Sequence, residues 1–141
     1  MRGLLVASAL LPLAACAADD EHPVSPVPPS NCPVIESRNW HAWIDKAPGP
    51  TALAALNITG EVDMPTPGYT IAIEEGPTDR AQPPGQRFRL TATPPDGMVA
   101  QVVTPTQVSY SAGTKFLKLR EVIIGCGDKV LGRIPDVSVD D

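Results

Sequence analysis

The sequence predicts an all-β protein, folded as a single antiparallel β-sandwich of about seven strands. Short segments in which apolar and polar residues alternate recur along the chain, and this alternation is typical of strands with one buried face. Turn signals rich in Pro and Gly separate these segments at intervals of about ten residues. The 141 residues include 17 prolines and 11 glycines, which disfavour long helices. A partly open small β-barrel is the alternative fold.

Three alternating segments open the predicted sandwich. In the first, Trp40 and Ile44 share one side of the strand, and His41 and Trp43 share the other. Two proline turns, of sequence KAPGP and PTPG, separate the three segments. A single helical turn capped by Thr51 is an alternative at the start of the second segment. The three predicted strands are 38–44, 54–63 and 69–74.

Four further strands are predicted after a long polar loop from Gly76 to Gly85. The turn sequences PPDG and GD each predict a tight hairpin. Pro105 is expected to bend or break the second of these strands, because proline cannot donate a ladder hydrogen bond. The four predicted strands are 86–93, 98–110, 115–126 and 130–134.

The apolar side of these strands predicts the core. Residues on that side should be buried, and their polar neighbours along the same strand should face solvent. The predicted core residues are Trp40, Ile58, Ile71, Phe88, Leu90, Val102 and Leu119.

The N-terminus carries a targeting signal. Arg2 precedes an apolar run from Gly3 to Leu13, which is too short to span a bilayer, and the run ends in Leu-Ala-Ala-Cys at Cys16. This segment resembles the lipobox of bacterial lipoproteins, and an ordinary cleaved signal peptide is the alternative. The resemblance implies removal of the signal peptide (1–15) and lipidation of Cys16, which anchors the protein to the cell envelope. Because Ala17 rather than Asp follows, it implies the outer membrane, facing the periplasm, if the organism is Gram-negative.

The remaining chain divides into a tether and one folded domain. Residues 16–31 hold the lipidated cysteine and a stretch rich in Pro and acidic residues, which favours an extended conformation. Residues 32–141 form the predicted sandwich domain, which is loosely immunoglobulin-like. Cys32 and Cys126 remain after lipidation and are predicted to form a disulfide in an oxidising compartment. Two free thiols or a metal pair are the alternative.

Composition argues against several classes of function. Residues 32–139 carry 11 acidic and 10 basic side chains, so the body of the protein is nearly neutral. A nucleic-acid-binding domain would show a basic stripe or patch instead. No cofactor motif and no metal-ligand spacing is found, and we expect neither a cofactor nor a metal.

His41, Trp43 and Asp45 form the most unusual cluster. On the predicted register Trp43 lies on the outer side of its strand beside both polar residues, and an exposed Trp is a common anchor of protein interfaces. The alternative is that Trp43 packs beneath a neighbouring loop while His41 is an ordinary surface residue. A catalytic triad built on His41 and Asp45 would need a serine, but no nucleophile-elbow motif supplies one.

Two other surfaces are candidates. The Gly76–Gly85 loop, with Asp79 and Arg80, is long for so small a domain, and loops on a rigid scaffold commonly carry recognition. Basic pairs on two predicted strands form either a patch for anionic partners or ordinary cross-strand ion pairs. These pairs are Arg87 with Arg89 and Lys118 with Arg120, and their potential partners are Glu61, Glu74 and Glu121.

The sequence therefore predicts a membrane-anchored envelope lipoprotein with a noncatalytic binding or accessory domain. Its expected partners are the membrane, reached through the anchor at Cys16, and an envelope protein or polymer. A protease-inhibitor-like module presenting the Gly76–Gly85 loop is the first alternative, and a hydrolase using His41 is the second.

Overall fold

The computed structural model describes residues 31–139, which form seven strands. The expected signal peptide, Cys16 and the tether as far as residue 30 lie outside the described residues, as do residues 140–141. Among the residues described, none belongs to a helix long and apolar enough to cross a membrane. The strands are β1 (Glu36–Lys46), β2 (Ala54–Met64), β3 (Thr70–Thr78), β4 (Gly85–Thr93), β5 (Thr104–Thr114), β6 (Lys118–Cys126) and β7 (Lys129–Ser138).

The seven strands make two sheets packed as a β-sandwich, as the sequence predicts. One sheet has the order β1-β2-β5 and the other β3-β4-β6-β7. Neighbouring strands are antiparallel, except that β4 and β6 run parallel. In immunoglobulin domains the third strand lies beside the sixth, whereas here the fourth strand takes that place.

The two sheets approach each other along the edge where β1 meets β7. The Ser37 hydroxyl donates a hydrogen bond of 2.7 Å to the carbonyl oxygen of Leu131, and Ile44 forms a parallel bridge with Val139. Residues 31–139 nevertheless do not close into a barrel, since β3 and β5 stay in separate sheets on the other side.

The connections divide between two ends of the sandwich. The end that we call the disulfide end carries the start of β1, the end of β6 and three connections between strands. Cys32 and Cys126 are bonded there, with their Cα atoms 5.4 Å apart. The opposite end, which we call the far end, carries the other three connections. Those of the disulfide end are 65–69, 94–103 and 127–128, and those of the far end are 47–53, 79–84 and 115–117.

The core lies between the sheets and follows the predicted alternation. In β2 every second residue from Ala54 to Met64 is buried. The chain is therefore a strand from Ala54 onward, and the alternative of a helical turn at the start of this segment is wrong there. Of the predicted core residues, four are fully buried and two pack against the core while partly exposed. The buried four are Ile58, Phe88, Leu90 and Leu119, and the other two are Trp40 and Ile71.

Val102 is the wrong member of the predicted core, with 58% of its surface exposed. The fifth strand begins at Thr104 rather than at residue 98, so residues 94–103 form a connection between the sheets. Pro105 does not break this strand. It lies opposite Asp63 on β5, an edge strand that has one neighbour, and edge strands tolerate proline.

Trp40 fills a slot between two glycines at the edge where β1 meets β7. A Cβ atom added at Gly60 would lie 2.6 Å from Trp40 Cδ2 and closer to two other ring atoms, and one at Gly132 would lie 2.6 Å from Cδ1. A register shift between Arg38 and His41 and a positive φ of 56° at Asn39 place the indole in this slot. Both facing strands must therefore lack a side chain here.

Candidate binding site

The outer face of the three-stranded sheet carries an aromatic pair. His41 and Trp43 are two positions apart on β1 and hence point to the same side. Their rings stack with centroids 5.2 Å apart and an interplanar angle of 27°. His41 is exposed and Trp43 is half-buried, whereas the alternate residues Ala42 and Ile44 are buried on the other side of the strand. The predicted register of the first strand is thus confirmed.

Asp45 holds the indole in place. Trp43 Nε1 donates to Asp45 Oδ2 over 3.1 Å, and the same oxygen accepts from Asn57 Nδ2 at 2.8 Å. Asn57 lies directly opposite Trp43 on β2. The structure therefore brings together the three predicted residues His41, Trp43 and Asp45, and it adds Asn57 to them.

Small polar side chains continue this face across the sheet. Thr59 lies opposite His41, and Ser109 and Ser111 on β5 lie opposite Thr59 and Asn57. Two strand spacings separate His41 from Ser109, which amounts to about 10 Å. This is a separation between backbones, and Thr59 lies between the two residues. Asp45 also directs its hydrogen bonds to Trp43 and Asn57 rather than to His41.

An ion-pair cluster borders the same face near the disulfide end. Arg38 donates two hydrogen bonds to the Asp63 carboxylate, at 2.8 and 2.9 Å, and forms an ion pair with Glu61. The hydrogen bonds from Arg38 lower the pKa of Asp63, and the same bonds raise the pKa of Arg38. These three charged side chains already pair with one another. The aromatic pair is therefore the part of this face more available to a binding partner.

The second candidate, the predicted Gly76–Gly85 loop, is shorter than expected, because β3 extends to Thr78. Asp79 Oδ1 accepts hydrogen bonds from the backbone N–H groups of Ala81 and Gly85, and Asp79 Oδ2 pairs with Arg120 on β6. The hydrogen bond from the Gly85 backbone is the main cause that lowers the pKa of Asp79, followed by that from Ala81. Asp79 therefore shapes the loop.

Arg80 remains exposed on this loop at the far end of the sandwich. The neighbouring backbone is fixed by hydrogen bonds from Asp79 N to the Gly85 carbonyl and from Arg120 N to the Pro84 carbonyl, at 3.0 and 2.9 Å. The ends of this short loop are therefore held in place on both sides of Arg80.

The outer face of the four-stranded sheet contains a groove of about 430 Å³. Ile123 forms part of its floor and is only 6% exposed, although it lies outside the core cluster. Arg87 and Arg89 line the groove beside Glu74, yet no ion pair joins either arginine to a carboxylate within residues 31–139. Because Glu75, Asp128 and Lys129 also contribute, the groove carries charges of both signs.

Of the other predicted basic pair, Lys118 and Arg120, it is Arg120 that forms ion pairs. Arg120 pairs with Asp79 and Glu121, and Glu121 also pairs with Arg133. The hydrogen bond from Arg133 is the main cause that lowers the pKa of Glu121. Ion pairing therefore accounts for Arg120, but its partners lie on the 79–84 connection and beside it on β6. The cross-strand pair here joins Glu121 on β6 to Arg133 on β7.

Asn57, Arg133 and the glycine slot were not identified from the sequence. The alternation places Asn57 on the outer side of its strand, but only the β1–β2 register brings it against Asp45. Within the described part of the chain, no group of three His, Cys, Asp or Glu side chains is arranged to hold a metal ion.

Comparison with known proteins gave no match, whether to a protein-family model, a curated protein or a solved structure. The class that the fold and this surface define is a disulfide-bonded β-sandwich with a pre-ordered aromatic pair on one outer face.

Proposed function

We propose that this chain is a lipid-anchored protein of the bacterial cell envelope, on the periplasmic side of the outer membrane if Gram-negative. Its noncatalytic sandwich domain binds another envelope protein through the outer face of the three-stranded sheet. The lipobox-like segment at Cys16 supports the anchor, and the disulfide between Cys32 and Cys126 is in keeping with an oxidising compartment.

The single observation that carries the binding proposal is the fixed position of Trp43. Binding orders flexible side chains at a cost in free energy, and a side chain that is already ordered avoids this cost. His41 on one side and Asp45 on the other hold the Trp43 indole in the unbound protein. Tryptophan is also among the residues most enriched at the hot spots of protein interfaces.

The placement of this face also favours recognition. Trp43 and Asp45 lie in the half of β1 nearest the far end, whereas the chain leads toward Cys16 from the disulfide end. A domain anchored in this way presents the aromatic pair away from its point of attachment. The arrangement favours binding over hydrolysis, because the carboxylate that would orient His41 is already engaged by Trp43 and Asn57.

The test compares capture of an envelope protein by two variants of the full-length lipidated protein in mild detergent. Trp43→Ala should abolish capture while the melting temperature stays nearly unchanged. Arg89→Ala, on the outer face of the other sheet, should capture normally. If Arg89→Ala loses the partner and Trp43→Ala retains it, the binding face is the groove. Capture by both variants would remove Trp43 from any role in binding.

The anchor is tested separately by intact mass. Protein extracted from membranes should lack residues 1–15 and carry acyl mass, and Cys16→Ser should fail to reach the membrane. A wild-type chain that is unmodified and freely soluble would contradict the proposed anchor.

A second candidate is a protease-inhibitor-like module. The observation that favours it is the loop at 79–84, which is held by Asp79 and Arg120 while Arg80 stays exposed. Inhibitors gain affinity by presenting a rigid loop to a protease cleft. Titration against serine proteases that cleave after arginine, with Arg80→Ala as the control, tests this function directly.

A further inference from the structure

The exposed apolar residues of the disulfide end form an unusual surface. Met98 is fully exposed at 103%, and Val102 and Val103 on the same connection are more than half exposed. Ile35, just before β1, is also about half exposed. The 94–103 connection contains one charged residue, Asp96, so it presents an apolar tip to solvent.

Local contacts fix this tip. Pro95 packs closely over Gly68, where an added Cβ would lie 3.0 Å from the proline ring. The Val102 N–H donates to the Ala100 carbonyl at 3.0 Å, and the Thr104 hydroxyl donates to the Val102 carbonyl at 2.8 Å. The apolar side chains therefore project from a loop whose two roots are held by the sandwich.

The chain enters the domain at the same end. Cys32 is bonded to Cys126, and Asn31 lines the same pocket as Thr91 and Ala92 near the end of β4. The 94–103 connection starts directly after that strand. The segment leading back to Cys16 therefore leaves from the end that carries the apolar tip, and 14 residues lie between Cys16 and Asn31.

We infer that the 94–103 tip contacts the phospholipid bilayer in which the protein is anchored. This inference rests on the proposed lipid anchor and adds a second point of contact to it. The proposed anchor confines the tip to within the reach of the tether from the membrane, which raises its effective concentration there. Weak insertion of a few apolar side chains is then sufficient to hold the domain upright, with its far end directed away from the bilayer.

The experiment places an indole at either end of the full-length lipidated protein in vesicles of phosphatidylcholine with brominated acyl chains, which quench tryptophan on contact. Met98→Trp should lose most of its added emission relative to the same protein in vesicles without bromine. Leu53→Trp is the matched control, because Leu53 is 86% exposed at the far end. It should show no quenching beyond the wild-type baseline set by Trp40 and Trp43. Adding anionic lipid should leave the result unchanged, since the tip is apolar.

The outcomes separate the inference from the anchor on which it rests. Protein that floats with the vesicles but shows equal quenching at positions 98 and 53 overturns the membrane contact alone. Protein that does not float overturns the anchor and this inference together. In a third outcome the protein floats, and the indole at position 98 is quenched neither by bromine nor by aqueous acrylamide. The tip would then be covered by a second copy or another protein, which also overturns the inference.

Discussion

Gly60→Ala isolates the steric fit between the two sheets at Trp40. The glycine is buried in β2, and its φ is not in the left-handed region, so alanine meets no backbone strain there. Its added methyl group would come within 2.6 Å of the Trp40 ring, whereas ordinary contacts begin near 3.4 Å. The ring cannot retreat, because Gly132 bounds the slot on the other strand.

The expected loss of stability follows from two opposing terms. Overpacking a filled site costs about 1–3 kcal/mol, and more where neighbours cannot move. Replacing glycine by alanine also restricts the unfolded chain, which returns about 0.4–1 kcal/mol. We therefore expect Gly60→Ala to lower the free energy of unfolding by about 2 kcal/mol, a large part of the stability of a small domain.

Urea unfolding followed by circular dichroism measures this difference. Gly113→Ala on β5 is the matched control, because the nearest atom to its added Cβ is 3.9 Å away, and it should be neutral or slightly stabilising. In a Trp40→Ala background the cost of Gly60→Ala should disappear, since the clashing ring is gone. A cost that persists in that background, or a Gly60→Ala protein as stable as wild type, would refute the reasoning.

Three further predictions concern stability. Replacing Cys32 and Cys126 together by alanine should cost about 2–5 kcal/mol, because the bridge closes a loop across a sequence separation of 94; unchanged unfolding in urea under non-reducing conditions would count against it. Leu90→Ala should lower the free energy of unfolding by about 2–5 kcal/mol, because Leu90 is 2% exposed, whereas Arg89→Ala should change it little, because Arg89 faces outwards. Equal losses at both positions would mean that the register of this strand is incorrect. The pKa of Asp79 is lower in the folded protein than its usual value of 3.8, so its carboxylate stabilises the fold above that pH and loses this effect as the pH falls through the folded pKa. Unfolding free energies measured from pH 6 down to pH 2 should therefore show the difference between wild type and Asp79→Asn shrinking below about pH 4, and a difference that grows in acid would contradict the assignment.

Alternation in the sequence was sufficient to predict the sides of the strands. It placed Ile44 inside and Trp43 outside, and the structure has both there. Alternation does not distinguish a strand from an apolar connection, because Val102 and Val103 have the composition of a strand but pair with no neighbour. Nor does alternation indicate strand direction. In parallel and in antiparallel sheets alike, the side chains of two paired residues lie on the same face of the sheet. The alternation therefore could not predict the parallel pairing of β4 with β6.

The candidate site was predictable in part for the same reason. His41, Trp43 and Asp45 lie on one strand, so spacing alone brings them together. Asn57 and Arg120 act across strands, and their contacts with Asp45 and Asp79 depend on register and topology. The alternation within a single strand gives neither.

The two free edges of the sandwich, β3 and β5, each contain a proline. Pro77 lies in β3 and Pro105 in β5, and a proline offers no N–H group to an incoming strand. Copies held by the proposed lipid anchor would be confined to two dimensions and would collide edge to edge more often than free ones. Interrupting both hydrogen-bonding ladders blocks the continuous strand pairing by which neighbouring copies would otherwise polymerise.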